Sequence, residues 1–186
     1  MALPILPSEI MLAEQVEMID PQAIHRARRA LRAHLAQALR NDLLATYHAN
    51  HTPGAYRPDP LPAGRRALRN NALGYLSELN DGATHKLMQD QLDHASNMTD
   101  RIAALSAMVH HGAPGVEQAL DEFYADFEGE ALVIDKWFSL QASAPTTDVT
   151  AVRKLMKHPA FTLKNPNRAR SLIFAFCSSK IGRAHV

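Results

Sequence analysis

The chain has 186 residues, of which 46% are hydrophobic and 21% charged, a composition that is typical of one soluble globular domain and excludes a disordered or fibrous protein. Its 20 basic and 19 acidic residues give a formal net charge of +1, so bulk charge indicates neither nucleic acid nor an anionic membrane as a partner. No apolar run approaches the roughly 20 residues needed to cross a bilayer, and residues 1–7 lack the pattern of a signal peptide.

Helical periodicity begins at residue 20. Asp20 followed by Pro21 is typical of a helix start, and the apolar residues after it recur at helical spacing as far as Tyr47, which predicts one long helix. Its apolar positions are Ile24, Ala27, Leu31, Leu35, Ala38, Leu43 and Tyr47. The arginines on the opposite face are those of any solvated helix, and the near-neutral charge gives them no nucleic-acid role.

The segment His51 to Pro62 is dense in proline and contains Gly54, which predicts a loop. Three further helices are predicted beyond it, at about Ala63 to Leu79, Ala83 to His94 and Asn97 to His110. The last of these is expected to begin with a cap at its asparagine and to end at a glycine.

The remaining helices are short. One opens at Pro114, one lies between Gly129 and Pro145, one spans Asp148 to Lys157, and the last begins at Asn165. No run of alternating β-branched residues competes with this interpretation. We therefore predict an all-α protein whose antiparallel helix pairs stack as an irregular α-solenoid or superhelix, with a helix bundle as the alternative.

The residues that could carry chemistry do not form a recognised site. His48 and His51 lie three positions apart near a helix end, whereas His110 and His111 are adjacent and diverge by about 100° on a helix. The zinc motif His-Glu-x-x-His is absent, as are a Gly-rich phosphate loop and a Gly-x-Ser-x-Gly elbow. Cys177 is expected to be a small buried hydrophobe, and a single cysteine is typical of a reducing compartment such as the cytoplasm. No catalytic or metal-binding residue is assigned.

The segment from Asn165 to Ser171 has a different character. Asn165 is placed to cap a helix that Pro166 begins, and two arginines follow within its first turns. Backbone N–H groups, the helix dipole and a guanidinium could together hold a carboxylate. A surface helix start with solvated arginines is the alternative, since most caps are structural.

Four strings of residues resemble a known family. They are Leu6 to Glu9 with Asp20-Pro21, Ser96 to Asp100, Leu132 to Phe138, and Phe161 to Arg168. In this order they are similar to the C-terminal domain of bacterial aminopeptidase N, a zinc aminopeptidase of the M1 family, over about Leu3 to Ser179.

This resemblance implies an α-helical superhelix that encloses the active-site chamber of a separate catalytic domain and gates the access of peptides. The family holds its zinc with a His-Glu-x-x-His motif and a downstream glutamate, and binds the substrate's free amino group with a Gly-x-Met-Glu-Asn segment. Neither motif occurs here. The implied cofactor is zinc in a missing catalytic domain, and the implied partners are that domain of the same polypeptide and the enzyme's peptide substrates. This chain alone is expected to be inactive.

The family's Asn-Pro-Asn-Arg-x-Arg segment matches Asn165 to Arg170. The resemblance implies that Arg170 faces the internal chamber, and Asn167 and Arg168 are further candidates for the substrate channel.

Residues 180–186 depart from the family and match the translated start of a sequencing adapter. We therefore expect residues 1–179 to be a partial, C-terminally truncated domain, followed by a non-native tail. The alternative function is a stand-alone helical interaction scaffold with no enzymatic role, favoured by the amphipathic helices and the lack of catalytic motifs.

Overall fold

A computed structural model describes residues 5–180, apart from the side chain of the last of these, so most of the expected tail lies outside the described residues. Helices and turns account for the regular structure of this range, and no strand occurs in it. The prediction of an all-α protein is confirmed. None of the helices is long and apolar enough, within the described range, to cross a membrane.

The chain divides into two compact units, Met1–Met108 and Val109–Val186. The first unit contains the two longest helices, of 18 and 17 residues. The helices are α1 (Glu9–Ala13), α2 (Pro21–Ala38), α3 (Arg40–Ala49), α4 (Pro60–Leu76), α5 (Gly82–His94) and α6 (Met98–His111), with a 3-10 turn at Ser77–Leu79.

The single long helix predicted from residue 20 is two helices. Asp20 is the expected cap, since its carboxylate accepts a hydrogen bond from the N–H of Ala23 at 2.9 Å. Leu39 then leaves the α-helical region at φ −105° and ψ 17°, which separates α2 from α3. Helix α4 also differs from its prediction, because it begins at Pro60, three residues early. Proline fits the first turn of a helix, whose N–H groups have no intrahelical partner.

The core of the first unit is formed mainly by side chains of α3, α4, α5 and α6. Its fully buried side chains include Leu43, Leu73, Tyr75, Leu76, Met88 and Leu105. Two ion pairs connect segments around this core: Arg32 pairs with Glu78 at 2.5 Å, and Arg40 pairs with Asp81 at 2.7 Å. Asp81 also caps α5, and hydrogen bonds from the backbone of Thr84 and from Arg40 lower the pKa of its carboxyl group.

The second unit contains α7 (Val116–Phe127), α8 (Ala131–Ser143), α9 (Val149–Leu155) and a final helical segment from residue 166 to 180. That segment comprises α10 (Pro166–Ala169), a π-helical stretch (Arg170–Phe174) and α11 (Ala175–Lys180). Its core includes Phe123, Ile134, Trp137, Phe138 and Leu172. The indole N–H of Trp137 donates to the carbonyl of Leu120 at 2.9 Å, so the ring is held between α7 and α8.

Candidate functional site

The three candidate channel residues lie at the start of the final helical segment, where Asn165 acts as the predicted cap. Its side-chain oxygen accepts hydrogen bonds from the backbone N–H of Asn167 at 3.0 Å and of Arg168 at 3.4 Å. Pro166 occupies the first helical position, where its missing N–H costs nothing. The cap therefore satisfies the backbone groups that would otherwise be offered to a ligand.

Arg168 is buried, and each of the three nitrogens of its guanidinium donates a hydrogen bond. Its Nε donates to Oδ1 of Asp135 at 2.5 Å, and its Nη2 donates to the carbonyl of Ala131 at 3.2 Å. Its Nη1 donates to the carbonyl of Ala160, and the guanidinium carbon lies 5.3 Å from the centre of the Phe138 ring. These contacts join α8, the loop before the final segment and the segment itself, so the geometry of Arg168 is that of a structural clamp.

Arg170 lies on the other side of the segment. Two residues on a helix differ by about 200° in direction, so a side chain at 170 points away from the one at 168. Arg170 is exposed, as is Asn167 three positions earlier on the same face. Among the described residues, the guanidinium of Arg170 has no hydrogen-bond or ion-pair partner. The structure thus places Asn167 and Arg170 together and separates both from Arg168.

The backbone at Arg170 is also unusual. The N–H of Ala175 donates to the carbonyl of Arg170, five residues earlier, which is the hydrogen bond of a π-helix. Phe174 follows Arg170 by about one turn and is 67% exposed, whereas Leu172 between them is fully buried. An exposed guanidinium beside an exposed aromatic ring can bind a carboxylate and stack on a planar or apolar group. Sequence reasoning missed Phe174, because nothing in the apolar run from 172 to 176 marks this ring as the exposed one.

His158 lies in the aromatic core beneath the Arg168 clamp. Its ring centre is 4.7 Å from that of Tyr124 and 5.1 Å from that of Trp137. Its Nδ1 accepts a hydrogen bond from the N–H of Ala160 at 3.2 Å, which requires a neutral nitrogen at that position. Burial, followed by the nearby charge of Arg168, lowers the pKa of the imidazole. Both effects favour the neutral form of His158.

No group of three or more histidine, cysteine, aspartate or glutamate side chains is arranged to hold a metal ion within residues 5–180. His48 and His51 line the same surface cleft of the first unit. Cys177 is exposed, so the expectation that it is a buried hydrophobe is wrong: its helix presents residues 177 and 178 to solvent.

Comparison with known proteins gives consistent matches along the chain. A family model described as "Domain of unknown function (DUF3458_C) ARM repeats" matches residues 2–185. The chain is 42% identical over 184 residues to aminopeptidase N of Escherichia coli (strain K12). It is 35% identical over 181 residues to that of Haemophilus influenzae and 39% identical over 182 residues to that of Caulobacter vibrioides. Each alignment includes 97% of this chain but only 20–21% of the relative, so the chain spans about a fifth of the length of these relatives.

A solved structure gives a matching fold. The crystal structure of Legionella pneumophila aminopeptidase A in complex with aspartic acid superposes with a TM-score of 0.82 at 27% sequence identity. The match includes 96% of this chain and 22% of that protein. ARM repeats are stacked helices that form solenoids, so the prediction of an α-solenoid is confirmed.

Proposed function

Because this chain belongs to the DUF3458_C family of ARM-repeat domains, we propose that it encloses the active-site chamber of an M1 zinc aminopeptidase and gates the entry of peptides. Identities of 35–42% to aminopeptidase N over 97% of the chain support the proposal. They also confirm the resemblance to the C-terminal helical domain of that enzyme, which the four residue strings predicted. The catalytic steps then belong to another domain of the same polypeptide.

The observation that carries the gating role is the exposed guanidinium of Arg170, which has no partner among residues 5–180 and lies about one helical turn from the exposed ring of Phe174. A free guanidinium can form a bidentate pair with the carboxylate of a peptide. We assign Arg170 to the wall of the substrate channel, with Asn167 beside it on the same face. Arg168 does not face the channel in this proposal. It stabilises the segment that carries Arg170, since its own guanidinium is bound to Asp135.

The proposed partner is the catalytic domain of the same polypeptide. Residues 5–19 expose several large apolar side chains, and clustered exposed apolar side chains are typical of an interaction site. They are Ile5, Ile10, Met11, Val16, Met18 and Ile19. The described residues offer no set of ligands that fits zinc, so we place the zinc of the enzyme in that catalytic domain. A cytoplasmic location is proposed with it, since the exposed thiol of Cys177 is compatible with a reducing compartment.

The test is an assay of the chain and of its parent gene product. With added zinc, the 186-residue chain should release no chromophore from aminoacyl p-nitroanilides, whereas the full gene product should do so and should lose the activity to a chelator. Zinc-dependent turnover by the chain alone would overturn the proposal. The DNA upstream of this chain, read in the same frame, gives a second test. A His-Glu-x-x-His motif there supports the enzyme domain. A stop codon with no such motif before it supports the interaction scaffold.

A further inference from the structure

The first unit contains an open cleft of about 350 Å³, lined by both polar and apolar side chains, that the proposed function does not use. Tyr47 comes from α3, Arg69 from α4, and Asp90, Gln91 and His94 from α5. A smaller, adjoining pocket shares Arg69, Gln91 and His94 and reaches Asp100 at the start of α6. The cleft is therefore assembled from three helices and extends towards a fourth.

Gln91 lines this cleft and has a buried acceptor. The residue is 2% exposed, and its Nε2 donates to Oδ1 of Asn70 at 2.8 Å and to the carbonyl of Asp100 at 2.9 Å. Both partners are acceptors, so the amide orientation is set, with its nitrogen on their side. The side-chain oxygen Oε1 is buried and has no hydrogen-bond partner among the described residues. A buried acceptor of this kind is unfavourable unless a ligand or solvent group satisfies it.

Arg69 supplies the complementary donor. Its guanidinium carbon lies 4.5 Å from the centre of the Tyr47 ring, and its Nη2 donates to the Tyr47 hydroxyl at 2.9 Å. Its Nε is buried and also has no partner within the described part of the chain. The stacking on Tyr47 holds the guanidinium in place, so this N–H is a preorganised donor.

Two further polar groups of the cleft, on α5, supply acceptors. Nδ1 of His94 lies 2.8 Å from the carbonyl of Asp90, so that nitrogen carries a proton and Nε2 is the acceptor of the neutral ring. The carboxylate of Asp90 is exposed at the same cleft. The cleft thus combines three acceptors, on Asp90, Gln91 and His94, with the donor of Arg69.

From this pattern we infer that the cleft binds a primary ammonium group next to a carbonyl or carboxylate oxygen, as found in a free α-amino acid or at the amino terminus of a peptide. The ammonium group donates to the acceptors of Asp90 and Gln91, and the neighbouring oxygen accepts from Nε of Arg69. The negative charge of Asp90 and the positive charge of Arg69 match the two ends of such a ligand. A simple anion fits less well, since it would leave the Gln91 acceptor unsatisfied and face Asp90.

Calorimetric titration of the full chain tests this inference with three related probes. L-Alanine and L-alaninamide should both bind saturably, and N-acetyl-L-alaninamide, which has no ammonium group, should bind at least tenfold more weakly. Binding of the amide alone identifies peptide termini as the ligand, and stronger binding of alanine identifies free amino acids. Equal affinity for the acetylated probe, saturable binding of inorganic phosphate, or no binding of any probe would overturn the inference.

Two variants and a matched control connect binding to this cleft. Asp90→Asn changes an exposed side chain and should weaken alaninamide binding at least fivefold. Asp93→Asn makes the same change on the same helix at a carboxylate that pairs with Gln89, and should leave the affinity unchanged. Gln91→Met removes the buried acceptor and should weaken binding to a similar degree. If circular dichroism shows that this variant is misfolded, the test rests on the two aspartate variants. Equal affinities of Asp90→Asn and Asp93→Asn for alaninamide would contradict the inference.

Discussion

Nε of Arg168 donates to Oδ1 of Asp135 at 2.5 Å across 33 positions of sequence, and neither side chain is more than 14% exposed. Removing one member of a buried ion pair leaves the other charge without compensation, which typically costs about 3–5 kcal/mol. We therefore expect Arg168→Ala to lower the free energy of unfolding of the second unit by about that amount. Trp137, the only tryptophan of the sequence, lies in this unit, so denaturant unfolding followed by its fluorescence measures the loss.

The neighbouring arginine is the control for this measurement. Arg170 is exposed and unpaired among the described residues, so Arg170→Ala should change the same free energy by less than about 0.5 kcal/mol. Equal losses for the two variants would contradict the assignment of Arg168 as the clamp and of Arg170 as a surface group.

Acid should destabilise the second unit through His158. Burial lowers the pKa of this imidazole from its ordinary value of 6.5. Well above pH 6.5 the imidazole is neutral in both the folded and the unfolded state, so it does not change the free energy of unfolding. As the pH falls below 6.5, the unfolded chain takes up the proton first, so the folded state loses stability until its own pKa is passed. Unfolding monitored by Trp137 fluorescence at pH 7.5 and 5.5 should show this decrease.

His158→Phe should reduce that pH dependence, because phenylalanine fills the aromatic site without titrating. His85→Gln, in the first unit, is the matched control and should leave the dependence of the Trp137 signal unchanged. A His158→Phe variant with the same decrease as the original chain would assign the effect to other groups.

Two glycine substitutions should have opposite effects. Gly64 lies inside α4 with open space around the position of a Cβ atom, so Gly64→Ala should stabilise the protein by about 0.5–1 kcal/mol. Gly112 also has room, but its φ of +60° lies in the left-handed region, where alanine costs about 1–2 kcal/mol. Thermal melts followed by circular dichroism should show a higher Tm for Gly64→Ala and a lower Tm for Gly112→Ala. A rise for both would mean that the turn after α6 does not require glycine.

In the full-length gene product, Arg170→Ala should affect peptides selectively. Loss of a charge-assisted hydrogen bond of about 1.5–3 kcal/mol corresponds to a decrease in kcat/KM of roughly tenfold to a hundredfold. We expect this decrease for tripeptides with a free carboxylate and less than a twofold change for aminoacyl p-nitroanilides, which have no such group. Arg153→Ala, at an exposed arginine of α9, should leave both unchanged. Equal decreases for both substrates would place Arg170 outside the channel.

The capped helix starts at Asp20 and Asn165 are the most predictable part of the fold, because a cap is a local interaction. Asp20 and Asn165 both accept the expected backbone hydrogen bonds. The interruption at Leu39 was not predictable, since no glycine or proline marks it. The five-residue helix α1, capped by Ser8, is too short to show a periodic pattern and contains no buried residue.

The candidate site could be predicted only as a segment. The string Asn165 to Arg170 indicates which residues to examine, but the two arginines are distinguished by the contact of Arg168 with Asp135, which is distant in sequence. The cleft of the first unit was less accessible to prediction, since Arg69 and Gln91 come from separate helices and neither belongs to a motif. Residues that act through long-range contacts can be identified only in the folded structure.

The π-helical stretch at Arg170–Phe174 also bears on insertions and deletions. Its turn closes through the carbonyl of Arg170 and the N–H of Ala175, so it contains one residue more than an ordinary α-helical turn. Deleting one residue within this turn would restore an α-helical hydrogen bond between the same two groups. Elsewhere in a helix the same deletion would rotate all later side chains by about 100°. This turn is therefore the position in the final segment where relatives can differ in length by one residue and keep the same contacts on both sides.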